Sequence, residues 1–137
     1  MTRTPAVPGG TLVLDSEGLA KAVARDRTLT AWLALARAED LRVVTSAATL
    51  VEVTHPRVNR AALDWTLSRL VVEPVTEDIA RRASALLASA GLHGHKYAID
   101  AMLAATALQA PGPVTVLTSD PEDLTALVGR RATVIPV

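Results

Sequence analysis

Short apolar runs of strand length alternate with longer segments of helical periodicity along this chain. Thr11–Leu14, Arg42–Thr45, Val71–Val75, Val114–Thr118 and Thr133–Val137 read as strands, being short, apolar and rich in Val and Thr. The sequence predicts helices over Glu17–Arg25, Thr28–Glu39, Ala47–Val53, Asn59–Leu70, Glu77–Ala90 and Tyr97–Gln109, and a short one opened by Asp120-Pro121-Glu122-Asp123. In Thr28–Glu39, Leu29, Trp32, Leu33 and Ala36 fall at i, i+3, i+4 and i+7, the spacing of one buried face. Asn59 and Thr76 stand where N-caps are expected, Gly91 lies just past a helix end, and Gly91–His95 reads as a loop. Pro56 is expected to stop the Ala47–Val53 helix. Strands separated by helices need crossover connections, which give a mostly parallel sheet covered on both faces. The expected fold is therefore a single three-layer α/β domain over residues 11–137, with residues 1–10 as a flexible tail.

At 137 residues the chain can bury roughly two thirds of its unfolded surface without a staple. It has no Cys, which excludes disulfides and thiolate metal sites and fits a reducing cytosol. Residues 1–10 lack the apolar stretch of a signal peptide, and no run reaches the length of a membrane span, so a cytoplasmic location is expected. Acidic and basic residues balance at 14 each, so nucleic-acid binding has to rest on a local site, not on a basic surface. Trp32, Trp65 and Tyr97 are the only aromatics, too few for a base-stacking platform.

Four acids stand in apolar or strand-end settings. Asp15 ends the run Thr11–Leu14, and Asp120 follows Val114–Thr118. Glu52 interrupts Leu50-Val51-Glu52-Val53, and Asp100 interrupts Ala98-Ile99-Asp100-Ala101-Met102-Leu103. Ligands of open α/β sheets bind beyond the carboxyl ends of the strands, where Asp15 and Asp120 lie. Each acid also has an ordinary reading. Asp15 and Asp120 can cap the helices that follow them, Glu52 can sit on an exposed edge, and Asp100 can be a first-turn acid favoured by the helix dipole. A common site explains all four together. Carboxylates ~5 Å apart repel by about 3 kcal/mol per pair at an effective dielectric near 20. A hard cation such as Mg²⁺ or Mn²⁺ removes that repulsion, and its chemistry is water activation and in-line displacement at phosphorus. The Glu52 helix, with Leu50, Val51 and Val53 around that acid, is expected to show little of itself to water. Ile99, Met102, Leu103 and Thr106 are expected to form the packed face of the Asp100 helix.

Other signals are weaker. His93-x-His95 has no further His or Cys nearby and reads as a solvated loop, and His55 beside Pro56 reads as a surface residue. Ser16 and Ser119 adjoin key acids and can orient a carboxylate or a water, although Ser is common in turns. There is no Gly-rich phosphate loop and no G-x-S-x-G elbow. Asp15-Ser16-Glu17 lacks the pattern of an aspartyl-phosphate phosphatase. A receiver-like domain would place its acids on strand ends alone, with a Lys after a late strand.

Leu12-Val13-Leu14-Asp15-Ser16, Thr49-Leu50-Val51-Glu52-Val53, the run Ala98–Ala107 around Asp100, and Val116–Leu124 with Asp120 occur in an order and spacing that resembles PIN-domain ribonucleases. Within that group the chain is similar to VapC-type toxins of toxin–antitoxin pairs. The resemblance implies a three-layer PIN-like fold and a Mg²⁺- or Mn²⁺-dependent endoribonuclease. It implies Asp15, Glu52, Asp100 and Asp120 as catalytic metal-binding acids, with Asp123 as a fifth candidate. It also implies an RNA substrate, a cognate antitoxin whose C-terminal segment covers the cleft, and a homodimer. Arg57, Arg60 and Lys96 are the candidates for phosphate contacts. Leu35 widens the apolar arc of Thr28–Glu39 beyond what one packed face needs; extra packing within the monomer explains this, as does a covered surface, in which case this helix borders the antitoxin groove near the acids. The competing reading is a PIN-like module that binds RNA or protein without cleaving it.

Overall fold

The computed structural model describes residues 9–137. Most of the expected tail, residues 1–8, lies outside the described residues. Gly10 is already packed: it is buried, has φ +91°, and a Cβ there would lie 2.0 Å from the carbonyl oxygen of Pro113. Only glycine allows the chain this approach to the sheet.

Five strands form one parallel sheet in the order β3-β2-β1-β4-β5. They are β1 (Thr11–Leu14), β2 (Arg42–Ser46), β3 (Val71–Glu73), β4 (Val114–Thr118) and β5 (Thr133–Pro136). The helices are α1 (Ser16–Val23), α2 (Arg27–Ala38), α3 (Leu50–Val53), α4 (Arg60–Leu67), α5 (Glu77–Ala90), α6 (Gly94–Gln109) and α7 (Pro121–Val128). A tight turn, Ala47–Thr49, leads into α3. β1 is central and buried at every position.

Alternation along the strands splits the core into two. Val13, Val114 and Val116 face α5, α6 and α7 on one side. Leu12, Leu14 and Leu117 face α1, α2 and α4 on the other. Three layers result, as the alternation of strands and helices requires. Each such Leu contributes about 1.5–3 kcal/mol by leaving water.

The caps behave as their residue types dictate. The side chains of Asn59 and Thr76 accept from the N–H groups of Ala62 and Ile79 at 2.9 and 3.1 Å. Gly91 follows α5 in the left-handed conformation, at φ 68°. Several boundaries differ from expectation, α4 among them, which ends at Leu67 and not at Leu70. β3 stops at Glu73 because Pro74 follows and offers no N–H to the ladder. α2 begins one residue early, because the side chain of Asp26 caps Leu29 N–H. α6 starts at Gly94, three residues before the expected Tyr97, so Gly94 and His95 of the expected loop are helical, and it is bent at Tyr97 (φ −113°, ψ 18°). Among the described residues no helix is long and apolar enough to cross a membrane.

Candidate active site

The strand order reverses direction between β1 and β4, since successive crossovers leave β1 toward β2 on one side and β4 toward β5 on the other. The carboxyl ends of these two strands therefore flank the crevice where such folds bind ligands. Asp15 follows β1 and is buried. Its Oδ1 accepts from Gly18 N–H at 2.7 Å, which caps α1. Its Oδ2 accepts from the Thr118 hydroxyl at 2.6 Å and from Ser119 N–H at 3.1 Å, which ties it to the end of β4. Capping and a site role thus coexist in one carboxylate. Burial pushes the Asp15 carboxyl above its ordinary range, the bonds from Thr118, Gly18 and Ser119 oppose that, and the charge of Asp120 adds to the rise. Gly18 leaves room for this arrangement. A Cβ there would come within 3.2 Å of Leu117 O and 3.4 Å of Asp15 Oδ1.

Glu52 is carried by α3, whose position is set from below. Thr45 at the end of β2 donates to Leu14 O at 2.7 Å and lies 2.9 Å from the Thr49 hydroxyl. Thr49 donates to Ser46 O at 2.8 Å. This buried pair of threonines fixes the turn into α3 against the end of β1. The Ser16 hydroxyl then donates to Glu52 Oε1 at 2.5 Å. The expectation that the Glu52 helix hides from water is corrected: Glu52 is exposed and Val51 is 77% exposed. A single turn of helix can press only one side inward, and here that side carries Val53.

Asp100 is half-buried on α6, past the bend at Tyr97. Its packed surroundings are broader than expected. Ala101, Leu103, Ala104, Ala105, Thr106 and Ala107 are buried, whereas Ile99 and Met102 are only partly so. The alanines let α6 lie close to its neighbours on several sides. Burial, and then the charges of Asp120, Asp15, Asp123 and Glu52, push the Asp100 carboxyl up to about 6. Asp120 occupies the N-cap position of α7 but makes no side-chain cap bond, so the capping reading does not use its carboxylate. Its N–H donates to the Thr118 hydroxyl at 2.8 Å. Asp123, half-buried in the first turn of α7, faces the same space.

All five acids line one cavity of about 580 Å³. Among the described residues, none of the five forms a salt bridge. The ion pairs are Arg42–Glu73, Arg81–Glu77 and Arg82–Asp78, all elsewhere. Unneutralised carboxylates and oxygen donors suit a hard divalent ion. The fold does not supply a closed cage. Among the described residues, no group of three or more His, Cys, Asp or Glu side chains is arranged to hold a metal ion as it stands. Mg²⁺ in particular is commonly held by one or two carboxylates, by water and by substrate phosphates, which a broad acidic cavity provides for.

A second, more apolar groove of about 660 Å³ adjoins the first, sharing Ser16, Glu17 and Glu52 with it. Val23, Val53 and Val58 line it, and His55 and Arg57 stand on its wall. Of the phosphate-contact candidates, Lys96 lines the acidic cavity and Arg57 the adjoining groove, while Arg60 lines neither. Leu35 is 43% exposed and lines a separate hollow with Arg27, Thr28, Ala31 and Trp32. That hollow shares no residue with the acidic cavity, which corrects the expectation that α2 borders a groove beside the acids. α1 and α4 do so instead. Thr118, Thr45 and Thr49 are not singled out by sequence, because Thr in or beside a strand is ordinary.

A family model for the PIN domain matches residues 12–125. No curated protein matches the sequence significantly. Among solved structures, a chain of VapBC2 from Rickettsia felis, bound to a DNA fragment from their promoter, aligns with a TM-score of 0.67 and 16% identity, over 93% of this chain and 98% of that one. A chain of FitAB bound to the IR36 DNA fragment gives 0.63 and 22%, over 92% and 94%. A chain of FitAcB from Neisseria gonorrhoeae gives 0.64 and 23%, over 91% and 96%. At these identities the likeness is one of fold.

Proposed function

The chain belongs to the PIN-domain family, and from that premise we propose that it is a divalent-metal-dependent endoribonuclease acting as the toxin of a type II toxin–antitoxin pair. The observation that carries the nuclease reading is the arrival of Asp15, Glu52, Asp100 and Asp120, from four separate parts of the chain, at one cavity without basic partners. In this reading the four acids, with Asp123 in support, hold Mg²⁺ or Mn²⁺ directly or through water. Such an ion, when bound, supplies water activation and charge neutralisation at the scissile phosphate.

The chain's own groups set the geometry. Asp15 is held by three hydrogen bonds between β1 and β4, so it cannot swing away. Ser16 orients Glu52. Asp120, free of capping, faces the cavity. Lys96 and Arg57 stand where they can meet phosphates on either side of the acids. Hydrolysis adds the oxygen of water to phosphorus, breaks the bond to the 3′ oxygen and passes a proton to it. The products are a 5′-phosphate and a 3′-hydroxyl.

The toxin role draws on the similar structures, which are two-component VapBC and FitAB assemblies. An antitoxin segment would cover the groove that runs from the acids past Glu52 to Val58 and Arg57. A homodimer belongs to the same reading. The test is incubation of the purified protein with single-stranded RNA and Mg²⁺ or Mn²⁺. Endonucleolytic cleavage that stops with EDTA supports the reading. Intact RNA under both metals would overturn it.

A further inference from the structure

Among the described residues, the basic side chains lining the acidic cavity are His95 and Lys96. Both belong to the first turn of α6, which the bend at Tyr97 sets apart from the stretch carrying Asp100. The turn is gathered on one carbonyl, since the N–H groups of Lys96 and Tyr97 both donate to His93 O, at 3.3 and 3.0 Å. His93, two residues away, does not line the cavity.

The two cationic positions are not equivalent. The Lys96 ammonium stands 5.1 Å from the Tyr97 ring centre, within cation–π range. His95 is exposed, and among the described residues no carboxylate lies within salt-bridge distance of it. A phosphodiester entering this cavity meets acids on several walls and needs donors on the remaining one. An imidazole carries at least one N–H in either protonation state, so it can donate to a phosphate oxygen without depending on charge.

We infer that His95 is a substrate-contacting residue of this cleft, its ring N–H donating to a phosphate oxygen of the RNA strand beside the acids. The inference rests on the nuclease reading for the identity of the strand and extends it to a residue outside the metal-binding acids.

The test measures binding of a fluorescein-labelled single-stranded RNA oligonucleotide by anisotropy, with Ca²⁺ in place of Mg²⁺. Wild type, His95→Ala, His95→Gln and His93→Ala are compared. His95→Ala is expected to weaken binding by about threefold to tenfold, the size of one lost hydrogen bond. His95→Gln, which keeps an N–H donor, is expected to recover part of that loss, and His93→Ala is expected to bind as wild type. The Mn²⁺-induced rise in melting temperature is expected to be the same in His95→Ala as in wild type. Equal RNA affinity of wild type and His95→Ala, equal weakening by His93→Ala, or a lost Mn²⁺ response in His95→Ala would each overturn the inference. Weakened binding in His95→Ala beside a wild type that cleaves no RNA under Mg²⁺ or Mn²⁺ would sink the nuclease reading and leave the contact standing.

Discussion

The Thr118 hydroxyl lies 2.6 Å from Asp15 Oδ2, and its oxygen also accepts from the Asp120 N–H at 2.8 Å. One side chain at the end of β4 thus joins the two acids that close the neighbouring central strands. Its bond to Asp15 is also the shortest of the three that oppose burial at the Asp15 carboxyl.

Thr118→Val keeps the shape and removes this link. Asp15 is buried, so losing a partner is expected to cost about 1–3 kcal/mol. Urea unfolding should show that loss, and RNA cleavage should fall with it. Thr118→Ser should retain most of both. A valine variant as stable and active as wild type would show that the hydroxyl does not position Asp15.

Stability of the metal-free protein should fall as pH rises from about 4 to about 6. Asp100 holds its proton more tightly in the folded state, with its carboxyl pushed up to about 6. Between the ordinary carboxylate range near 4 and that value, the folded state binds more protons than the unfolded one, so its stability declines with rising pH. The contribution is full below the ordinary range and lost above about 6. Asp15 acts in the same direction. With solvent screening of this half-buried group, the change should be about 1 kcal/mol. Melting curves in EDTA measure it. Asp100→Asn should flatten the slope and be at least as stable as wild type at pH 7. An unchanged slope in that variant would place the titration elsewhere.

Partner binding should follow the groove that adjoins the acids. Val58 lines that groove, whereas Leu35 lines a hollow apart from it. Under the proposed toxin role, Val58→Asp is expected to weaken antitoxin affinity by tenfold or more, on the order of 1.4 kcal/mol. Leu35→Asp should have a smaller effect. Titration calorimetry with the protein encoded beside this chain checks both. The reverse ranking would move the partner surface to α2.

Much of this was legible in the residues. Alternating strand and helix patterns imply the parallel three-layer sheet, because only crossovers join parallel neighbours. Asp15 and Asp120 are conspicuous because each ends an apolar strand. Glu52 was legible for a partly mistaken reason: it reaches the cavity from an exposed turn, not a hidden one. The threonines that position the site were not legible. Thr45 and Thr118 act through contacts between segments 31 and 103 residues apart, and Thr49 matters only through its local bond to Thr45. The sequence marks His95 as solvated loop, since its spacing from His93 makes no metal site. Local propensity does not mark the bend at Tyr97 that sets its turn apart.

The most direct measurement is the rate of single-stranded RNA cleavage by Asp100→Asn and wild type across a Mn²⁺ titration. Asp100 is the acid whose carboxyl responds to all the others. If the acids act as one metal-binding catalytic centre, the variant should cleave on the order of a hundredfold or more slowly, and added Mn²⁺ should not restore it. Wild-type cleavage by a folded Asp100→Asn protein would contradict that centre.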